Sequence, residues 1–388
     1  MKTSVVILNW NTSDFLVRFI PGILSSLKGL DAELVVADNG SEDSSVETMA
    51  LRFPDVKTIR LDRNYGFTGG YDKALSALDS EYFLLLNSDI EVTEGWLQPL
   101  VETLDRNPDV GACAPKLHSW HERDRFEYAG AAGGYVDCFG FPFCRGRVMK
   151  MTERDEGQYD TPADVLWATG ACLLVRSSLF TKLGGLDNRF FAHMEEIDLC
   201  WRIQLEGFRV RIVPQSVVYH LGGGTLPQTS PWKLKLNYRN NLLLLENNLA
   251  KTFALQMLKC RTGKVENKDE RLTGMTPGNV RRDDALLEKI AVRACRKARM
   301  RIFLRMFVDG CTGIAYLIQL RPEYFMAVLK AHSEFRKLSH GVHVNDVAGY
   351  LSAHGDSEVK GIYGRCMIPR AIWMKEKFFS QVREYFRD

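Results

Sequence analysis

The sequence predicts an α/β protein with a mainly parallel central sheet and a helical C-terminal region. Three observations carry that prediction. Short apolar runs alternate with helical patterns through the first hundred residues, Asn or Asp follows several of the runs, and the chain turns basic and helical after about residue 250. The length of 388 residues suits one large α/β domain with an extension, or two modest domains. Hydrophobic residues make up 45% and charged residues 26%, which excludes disorder as the main state. A net charge of +3 argues against a nucleic-acid binder.

Ser4–Leu8 is β-branched and apolar and reads as a buried strand. A helix follows from about Ser13, with Phe15, Leu16, Phe19 and Ile23 on one side, and Pro21 should kink or split it. Leu34–Ala37 is a second strand ending at Asp38-Asn39-Gly40-Ser41, after which Asp43 or Ser44 can cap a helix towards Phe53. Val56–Leu61 is a third strand, followed by a turn and a helix near Tyr71–Leu78. Tyr82–Leu86 is a fully apolar fourth strand ending at Asn87-Ser88-Asp89. Such a series implies parallel strands covered on both faces.

Residues 110–165 are rich in Gly and aromatics with weak periodicity, and read as an irregular segment covering the crevice. Cys172–Arg176 returns to strand, Glu195–Glu206 is helical with Gly207 as its stop, and Val210–Val213 and Ser216–Tyr219 are two short strands. They lead into His220-Leu221-Gly222-Gly223-Gly224-Thr225, and Pro231–Lys251 reads as a long helix. The catalytic part is thus expected over residues 1–250 and a basic, amphipathic helical region over 251–388.

Asn9, Asn11, Asp38, Asn64 and Asp89 all fall just after strand ends, where open α/β sheets carry their ligand crevice. Loop preference alone also favours Asn and Asp there. The first strand lacks the GxGxxG of a dinucleotide site, and neither a Walker A loop nor a GxSxG elbow is present. Nine scattered cysteines without a CxxC pair argue against a zinc ribbon or disulfide scaffold, and for a reducing compartment. The apolar run of the N-terminus is too short for a signal peptide, and no stretch reads as a membrane span.

Carboxylates at strand ends suit two tasks, bonding to a ribose or base and holding a hard cation. Asp89, after a buried strand, has the second character, and His220 is a possible second ligand for Mg²⁺ or Mn²⁺. Glu195, Glu196 and Asp198 open a helix after an aromatic run. They complement the helix dipole, or one of them is a general base with a raised pKa.

The ordered motifs are Val5-Val6-Ile7-Leu8-Asn9-Trp10-Asn11, Asp38-Asn39-Gly40-Ser41, Asn64-Tyr65-Gly66-Phe67-Thr68-Gly69-Gly70 and Leu86-Asn87-Ser88-Asp89, then Trp167-Ala168-Thr169-Gly170-Ala171, Glu195-Glu196-Ile197-Asp198-Leu199, the His220 loop and Tyr238-Arg239-Asn240-Asn241. Over residues 3–250 this set resembles family 2 glycosyltransferases, the inverting enzymes of the GT-A fold, in particular the bacterial rhamnosyltransferase-like branch. The resemblance implies a GT-A-type nucleotide-diphosphate-sugar fold and a donor site of Asn9, Asn11, Asp38, Asn64, Gly66, Asn87, Asp89 and Arg239. It implies an acceptor subsite at Trp167, Thr169 and Gly170, where an indole face suits a sugar ring, and metal contacts at Asp89 and His220. It also puts the base at Glu196, with Glu195 and Asp198 as rivals. Glu196 stands where the family has Asp, and Asp72 where it often has Asn.

The activity so implied is metal-dependent, inverting transfer from dTDP-rhamnose or a UDP-sugar to a glycan acceptor, lipid-linked, in bacterial surface polysaccharide synthesis. A sugar nucleotidylyltransferase and a non-catalytic carbohydrate-binding relative are the alternatives. The first normally carries a basic Gly-rich loop after its first strand, and none is present; the acids still in place argue against the second.

A cytoplasmic location with peripheral contact at the inner face of the cell membrane is expected, with no nucleic-acid partner. Residues 251–301 hold 14 Lys or Arg against 6 Asp or Glu, a net of +8. Ile302, Phe303, Leu304, Met306 and Phe307 are expected to enter the headgroup boundary with Arg301 and Arg305 snorkelling, and Trp373, Phe378, Phe379, Val382 and Phe386 to form a second amphipathic helix. The alternative is a helical subdomain that only packs.

Overall fold

The computed structural model describes residues 1–222, 230–266, 283–373 and 379. Strand β1 (Thr3–Asn9) is followed by helix α1 (Ser13–Ser26), β2 (Ala32–Asp38), α2 (Ser45–Arg52), β3 (Lys57–Arg60), α3 (Gly66–Leu75), β4 (Tyr82–Leu86), β5 (Ile90–Val92) and α4 (Leu97–Arg106). Strands β6 (Val110–Ser119), β7 (Gly134–Val136), β8 (Pro142–Cys144), β9 (Arg147–Val148), β10 (Met151–Thr152), β11 (Ala163–Val165) and β12 (Cys172–Arg176) come next. Helices α5 (Ser177–Lys182) and α6 (Glu195–Leu205) and strand β13 (Arg209–His220) complete the α/β part. Among the described residues five further helices follow: α7 (Pro231–Glu266), α8 (Asp284–Ile318), α9 (Pro322–Leu338), α10 (Val344–His354) and α11 (Met367–Trp373).

The large sheet has the order β11-β13-β6-β12-β4-β1-β2-β3, with β5 on β13. Strands β3, β2, β1 and β4 are mutually parallel, and β13 is parallel to β6; β12 runs antiparallel between β4 and β6. The sheet is therefore mainly parallel, and its central strands are buried on both faces, as their unbroken apolar runs require. The phenol of Tyr71 on α3 donates to the carbonyls of Val6 and Leu86, tying β1 to β4 beneath the strand ends.

Several local expectations change. Pro21 neither splits nor ends α1, which runs continuously from Ser13 to Ser26. A proline inside a helix costs about 3 kcal/mol. Burial of Leu16, Phe19, Ile20 and Ile23, at about 1.5–3 kcal/mol each, outweighs it. The third helix begins at Gly66 rather than near Tyr71. The two strands expected at 210–219 are one strand, β13, with a register shift between Val213 and Val217. Pro115 of β6 faces Val213 at that irregularity, a place where a residue without an N–H is tolerated.

Residues 110–165 are more ordered than expected. Strand β6 lies inside the large sheet, and β7 to β10 form a separate antiparallel sheet. Strand β6 carries Lys116 and His118 inward. Lys116 Nζ meets Asp155 at 2.5 Å and Asp160 at 2.6 Å, and His118 Nε2 lies 2.8 Å from Asp155. Asp155 thereby fastens the segment after β10 onto the central sheet.

The chain forms two units. One comprises Met1–Ile203, Arg209–Gln228 and Lys360–Asp388, the other Gln204–Phe208 and Thr229–Val359. A boundary at 250 differs from this division, because α7 is a single helix and the last segment returns to the first unit. There Val136 N donates to Gly361 O at 3.2 Å, Tyr363 N to Val136 O at 2.8 Å, and Met367 N to Asp137 Oδ2 at 2.9 Å. Phe379, expected at a membrane, is instead 3% exposed and stacks on Tyr135 with centroids 5.2 Å apart. Phe378, Val382, Phe386 and the side chain of Trp373 lie outside the described residues.

Candidate active site

The carboxyl ends of β1 and β2 are locked together. Asn9 pairs in register with Asp38, and its Nδ2 donates to Asp38 Oδ1 and to Ser41 Oγ, both at 3.1 Å. Thr12 Oγ1 donates to Asn9 Oδ1 at 2.6 Å and to Ser88 Oγ at 3.0 Å. The other carboxylate oxygen of Asp38 accepts from Ser41 N at 3.1 Å. Asn9 is thus a positioning residue with its amide fully engaged. Asp38 keeps acceptor capacity, since a carboxylate offers about four lone-pair sites. Asn11 has φ 54, and its Oδ1 accepts from Glu42 N at 2.7 Å, which shapes the loop after β2.

The turn into α3 is built by amides. Asn39 Nδ2 donates to Asn64 Oδ1 at 3.1 Å and Gly66 O at 3.0 Å, and Gly66 N donates to Asn64 Oδ1 at 2.7 Å. Gly66 has φ +73, and a Cβ there would lie 2.6 Å from the ring and carbonyl of Phe191. That carbonyl caps α3 by accepting from Phe67 N at 2.7 Å. Asp72 holds the same region from below, accepting from Leu186 N at 2.9 Å and Asn188 Nδ2 at 3.1 Å.

Asp89 follows β4 and lies 8% exposed beside the end of β13. Its Oδ1 is 3.2 Å from His220 Nε2, and Glu127 Oε1 is 3.4 Å from His220 Nδ1. Burial works against a charge on the imidazole, but Asp89 and Glu127 outweigh it and push its pKa up to about 10. Burial likewise opposes the charge on Asp89, and His220 prevails, holding that carboxyl below its usual range. Neither ring nitrogen of His220 meets hydrogen-bond geometry with a partner. Two neighbouring ligands of an octahedral cation at about 2.1 Å stand about 3.0 Å apart, so the Asp89–His220 spacing fits one. No group of three His, Cys, Asp or Glu side chains placed to hold a metal ion occurs among the described residues. Glu127 came from no sequence signal. It lies in an aperiodic segment, and only the tertiary fold sets it against the far nitrogen of His220, the place of an orienting carboxylate.

The three acids of α6 have three different surroundings. Phe191, His193 and Met194 all have positive φ just before the helix, with values of 64, 71 and 73. Asp198 is fully buried, and its Oδ2 accepts from Arg202 Nε at 2.7 Å. Arg202 also donates to the carbonyls of Leu183 and Gly185 at 3.0 Å. Asp198 is therefore committed to an ion pair that fixes the helix. Glu195 is 4% exposed, and burial, then the charges of Glu196 and Asp198, push its pKa well up. Glu196 is half-buried, and burial raises its pKa from an ordinary 4.5 to about 7. One carboxylate oxygen of each glutamate is buried without a hydrogen bond.

The turn 167–171 links the two acidic centres. Ala171 O accepts from Asn87 N at 2.9 Å, and a Cβ on Gly170 would lie 3.3 Å from Glu196 Cβ. Thr169 is buried, with Oγ1 accepting from Ala171 N at 3.2 Å. Trp167 departs from the expected sugar platform. It is 3% exposed, its Nε1 donates to Tyr135 O at 3.0 Å, and Gly134 lies against the indole. A Cβ on Gly134 would come within 1.9 Å of Trp167 Cε2. Gly134→Ala is therefore expected to destabilise the protein by about 1–3 kcal/mol through overpacking. Denaturant unfolding followed by tryptophan fluorescence reads this directly.

Arg239 belongs to the second unit, where its Nε donates to Asn240 Oδ1 at 2.8 Å and its Nη1 to Glu334 Oε2 at 3.2 Å. Gly223, Gly224 and Thr225 of the expected phosphate loop lie outside the described residues.

Residues 4–183 match the family described as Glycosyl transferase family 2. An N-acetylglucosaminyl-diphospho-decaprenol L-rhamnosyltransferase of Mycobacterium tuberculosis (strain CDC 1551 / Oshkosh) is 27% identical over 234 residues, spanning 56% of this chain and 75% of the relative. The O-antigen biosynthesis protein RfbC of Myxococcus xanthus is 25% identical over 253 residues, 61% of this chain and 19% of the relative. Among solved structures, residues 1–349 of S. aureus TarS superpose with a TM-score of 0.47 at 13% identity, covering 87% of this chain and 92% of that one. Residues 4–183 thus carry a glycosyl transferase family 2 domain, built on a mainly parallel α/β sheet, and the protein is a glycosyltransferase.

Proposed function

We propose that the protein transfers a sugar, with inversion, from a nucleotide-diphosphate donor to a hydroxyl of a glycan acceptor carried on a lipid. The single observation that carries this reading is the pairing of two unlike acidic centres through the 167–171 turn. One is the Asp89–His220 pair, suited to a cation. The other is Glu196, a carboxyl poised near neutrality. The M. tuberculosis relative, by its name, acts on a lipid diphosphate acceptor and moves rhamnose, which supports dTDP-rhamnose as the first donor to try and a UDP-sugar as the second.

Asp89 and His220 would hold Mg²⁺ or Mn²⁺, which when bound offsets charge on the diphosphate leaving group. The locked Asn9–Asp38–Ser41 frame presents Asp38 to the ribose or base. Glu196 takes the proton of the acceptor hydroxyl as its oxygen attacks the anomeric carbon, opposite the departing diphosphate. Burial and the neighbouring acids raise the pKa of Glu195, which favours its protonated form and limits the negative charge beside the base. The roles diverge because burial acts on both glutamates while Arg202 neutralises Asp198.

A donor screen by nucleoside diphosphate release, with and without Mn²⁺, tests the reading; release from no donor in the presence of glycan acceptors overturns it. The pH profile is a second check. The base works ionised, and burial raises its pKa to about 7. The acid limb of kcat/KM is thus expected to be half-maximal near pH 7, whereas an ordinary carboxyl would place it near 4.5. A flat profile from pH 5.5 to 8 removes Glu196 from the base role.

A further inference from the structure

The exposed face of α8 is divided along its length. Positions 289, 293, 296, 300, 303, 307, 311, 314 and 318 follow one another at spacings of three or four, so they share one helical face. Its first part shows exposed Lys289, Arg293 and Arg296, and its second part exposed Phe303, Phe307, Ile314 and Ile318. Between Met300 and Leu320 none of the exposed residues is charged. Phe303 and Phe307 are each 66% exposed, Ile318 78% and Leu320 88%. Of the 18 large exposed hydrophobic residues among the described residues, ten fall between Met300 and Leu329. Such a concentration marks an interaction surface rather than scattered exposure.

The opposite face of α8 is buried within its own unit. Ile302 lies there, and so does Arg305, which donates to Asp309 Oδ1 at 2.7 Å and also bonds to Asn241 Oδ1. This corrects the expectation that Ile302 would enter a headgroup layer and Arg305 snorkel. The two central charges of the helix point inward and neutralise each other, which leaves the outer face apolar. No helix among the described residues is long and apolar enough to cross a membrane.

We propose that this face of α8 docks on an anionic lipid surface. Its basic turns would meet headgroup phosphates while Phe303, Phe307, Ile314 and Ile318 enter the acyl boundary. The order of charge along the face decides between occupants. Two copies packed face to face would set the basic segment against itself or against the apolar segment, and neither arrangement pairs the charge. A lipid surface offers both chemistries side by side at the same interface. The acids exposed on α8, Asp284 and Glu288, stand in its first two turns, away from the apolar half.

The test is co-sedimentation of the full chain with vesicles of phosphatidylcholine containing 0 or about a third phosphatidylglycerol, the range over which surface charge governs such binding. The full chain is expected to bind the anionic vesicles and to be released from them by salt. Phe303→Ser with Phe307→Ser, and separately Arg293→Glu with Arg296→Glu, are each expected to lower the partition coefficient at least about tenfold. All four side chains are exposed, so circular dichroism should stay unchanged. Negligible binding by the full chain overturns the proposal, as does binding that neither pair of substitutions weakens. A stable dimer that Phe303→Ser with Phe307→Ser dissociates, without vesicle binding, assigns the face to a second copy instead. No donor or acceptor enters the assay, so its outcome is independent of the transfer reaction proposed above.

Discussion

Glu196→Gln should slow glycosyl transfer by roughly 10²–10⁴-fold, the usual worth of a general base, while leaving donor affinity close to that of the unaltered protein. The amide keeps the shape of the carboxyl but cannot accept the proton of the acceptor hydroxyl. Folding should not suffer, and the sign of the pKa shift says why. A carboxyl whose pKa rises from 4.5 to about 7 on folding binds its proton more tightly in the native state. Its contribution to stability is full below about pH 4.5 and is lost as pH rises through about 7. At pH 8 the ionised group therefore weighs against the fold, and Gln does not. Thermal unfolding at pH 8 should show the variant at least as stable as the parent. Asp198→Asn is the control, because it removes the counter-charge of Arg202. Its main effect should be on stability, since breaking a buried ion pair costs about 3–5 kcal/mol. A larger loss of turnover at full stability from Asp198→Asn than from Glu196→Gln would move the base to Asp198.

The strand ends were legible because two signals coincide there. Ser4–Leu8 and Tyr82–Leu86 are apolar without interruption, and the polar residue that follows each has one place to go, the edge of the buried layer. Strand β6 was illegible for the opposite reason. Gly111, Pro115, Lys116 and His118 all speak against a central strand, and only Asp155, about forty residues later, makes their burial tolerable. The three acids of α6 were visible as a group but not as individuals. What separates them is Arg202 on one side and depth of burial on the other, and neither is a property of their spacing. Trp167 shows the limit of reading a residue type as a role. An indole can face a sugar, but a glycine 33 residues earlier lies against it here. The apolar half of α8 was recognised in the sequence and Phe303, Leu304 and Phe307 do face out, but the Arg305–Asp309 pair and Ile302 are turned inward.

Asp89→Asn should lower metal-dependent transfer by about 10³-fold, because a cation on the leaving group is worth several kcal/mol and each 1.36 kcal/mol is a factor of ten. The substitution keeps the size of the side chain at the end of β4 and the backbone bond from Leu221 N to Asp89 O at 3.0 Å. It removes the negative charge that, with His220, would hold the cation. The fold should survive, although one member of a buried pair is lost. Without a cation, Asp89 and Glu127 favour the protonated imidazole against burial, and a cation taken up beside Asp89 would displace the Nε2 proton. With Asp89 neutralised, His220 can release its proton instead of remaining as an unpaired buried cation. The measurement is Mn²⁺ titration of full-length protein in the presence of nucleoside diphosphate, by calorimetry or electron paramagnetic resonance, alongside turnover at several Mn²⁺ concentrations. Weaker Mn²⁺ binding and slower turnover should appear together, and excess metal should recover part of the rate. Glu127→Gln should behave differently, because that carboxylate faces the other nitrogen of His220. Loss of such an orienting group costs about 10–100-fold in affinity or activity, a smaller effect than at Asp89. Unchanged Mn²⁺ affinity and unchanged turnover in Asp89→Asn would place the cation elsewhere and leave the Asp89–His220 pair a structural clamp between β4 and β13.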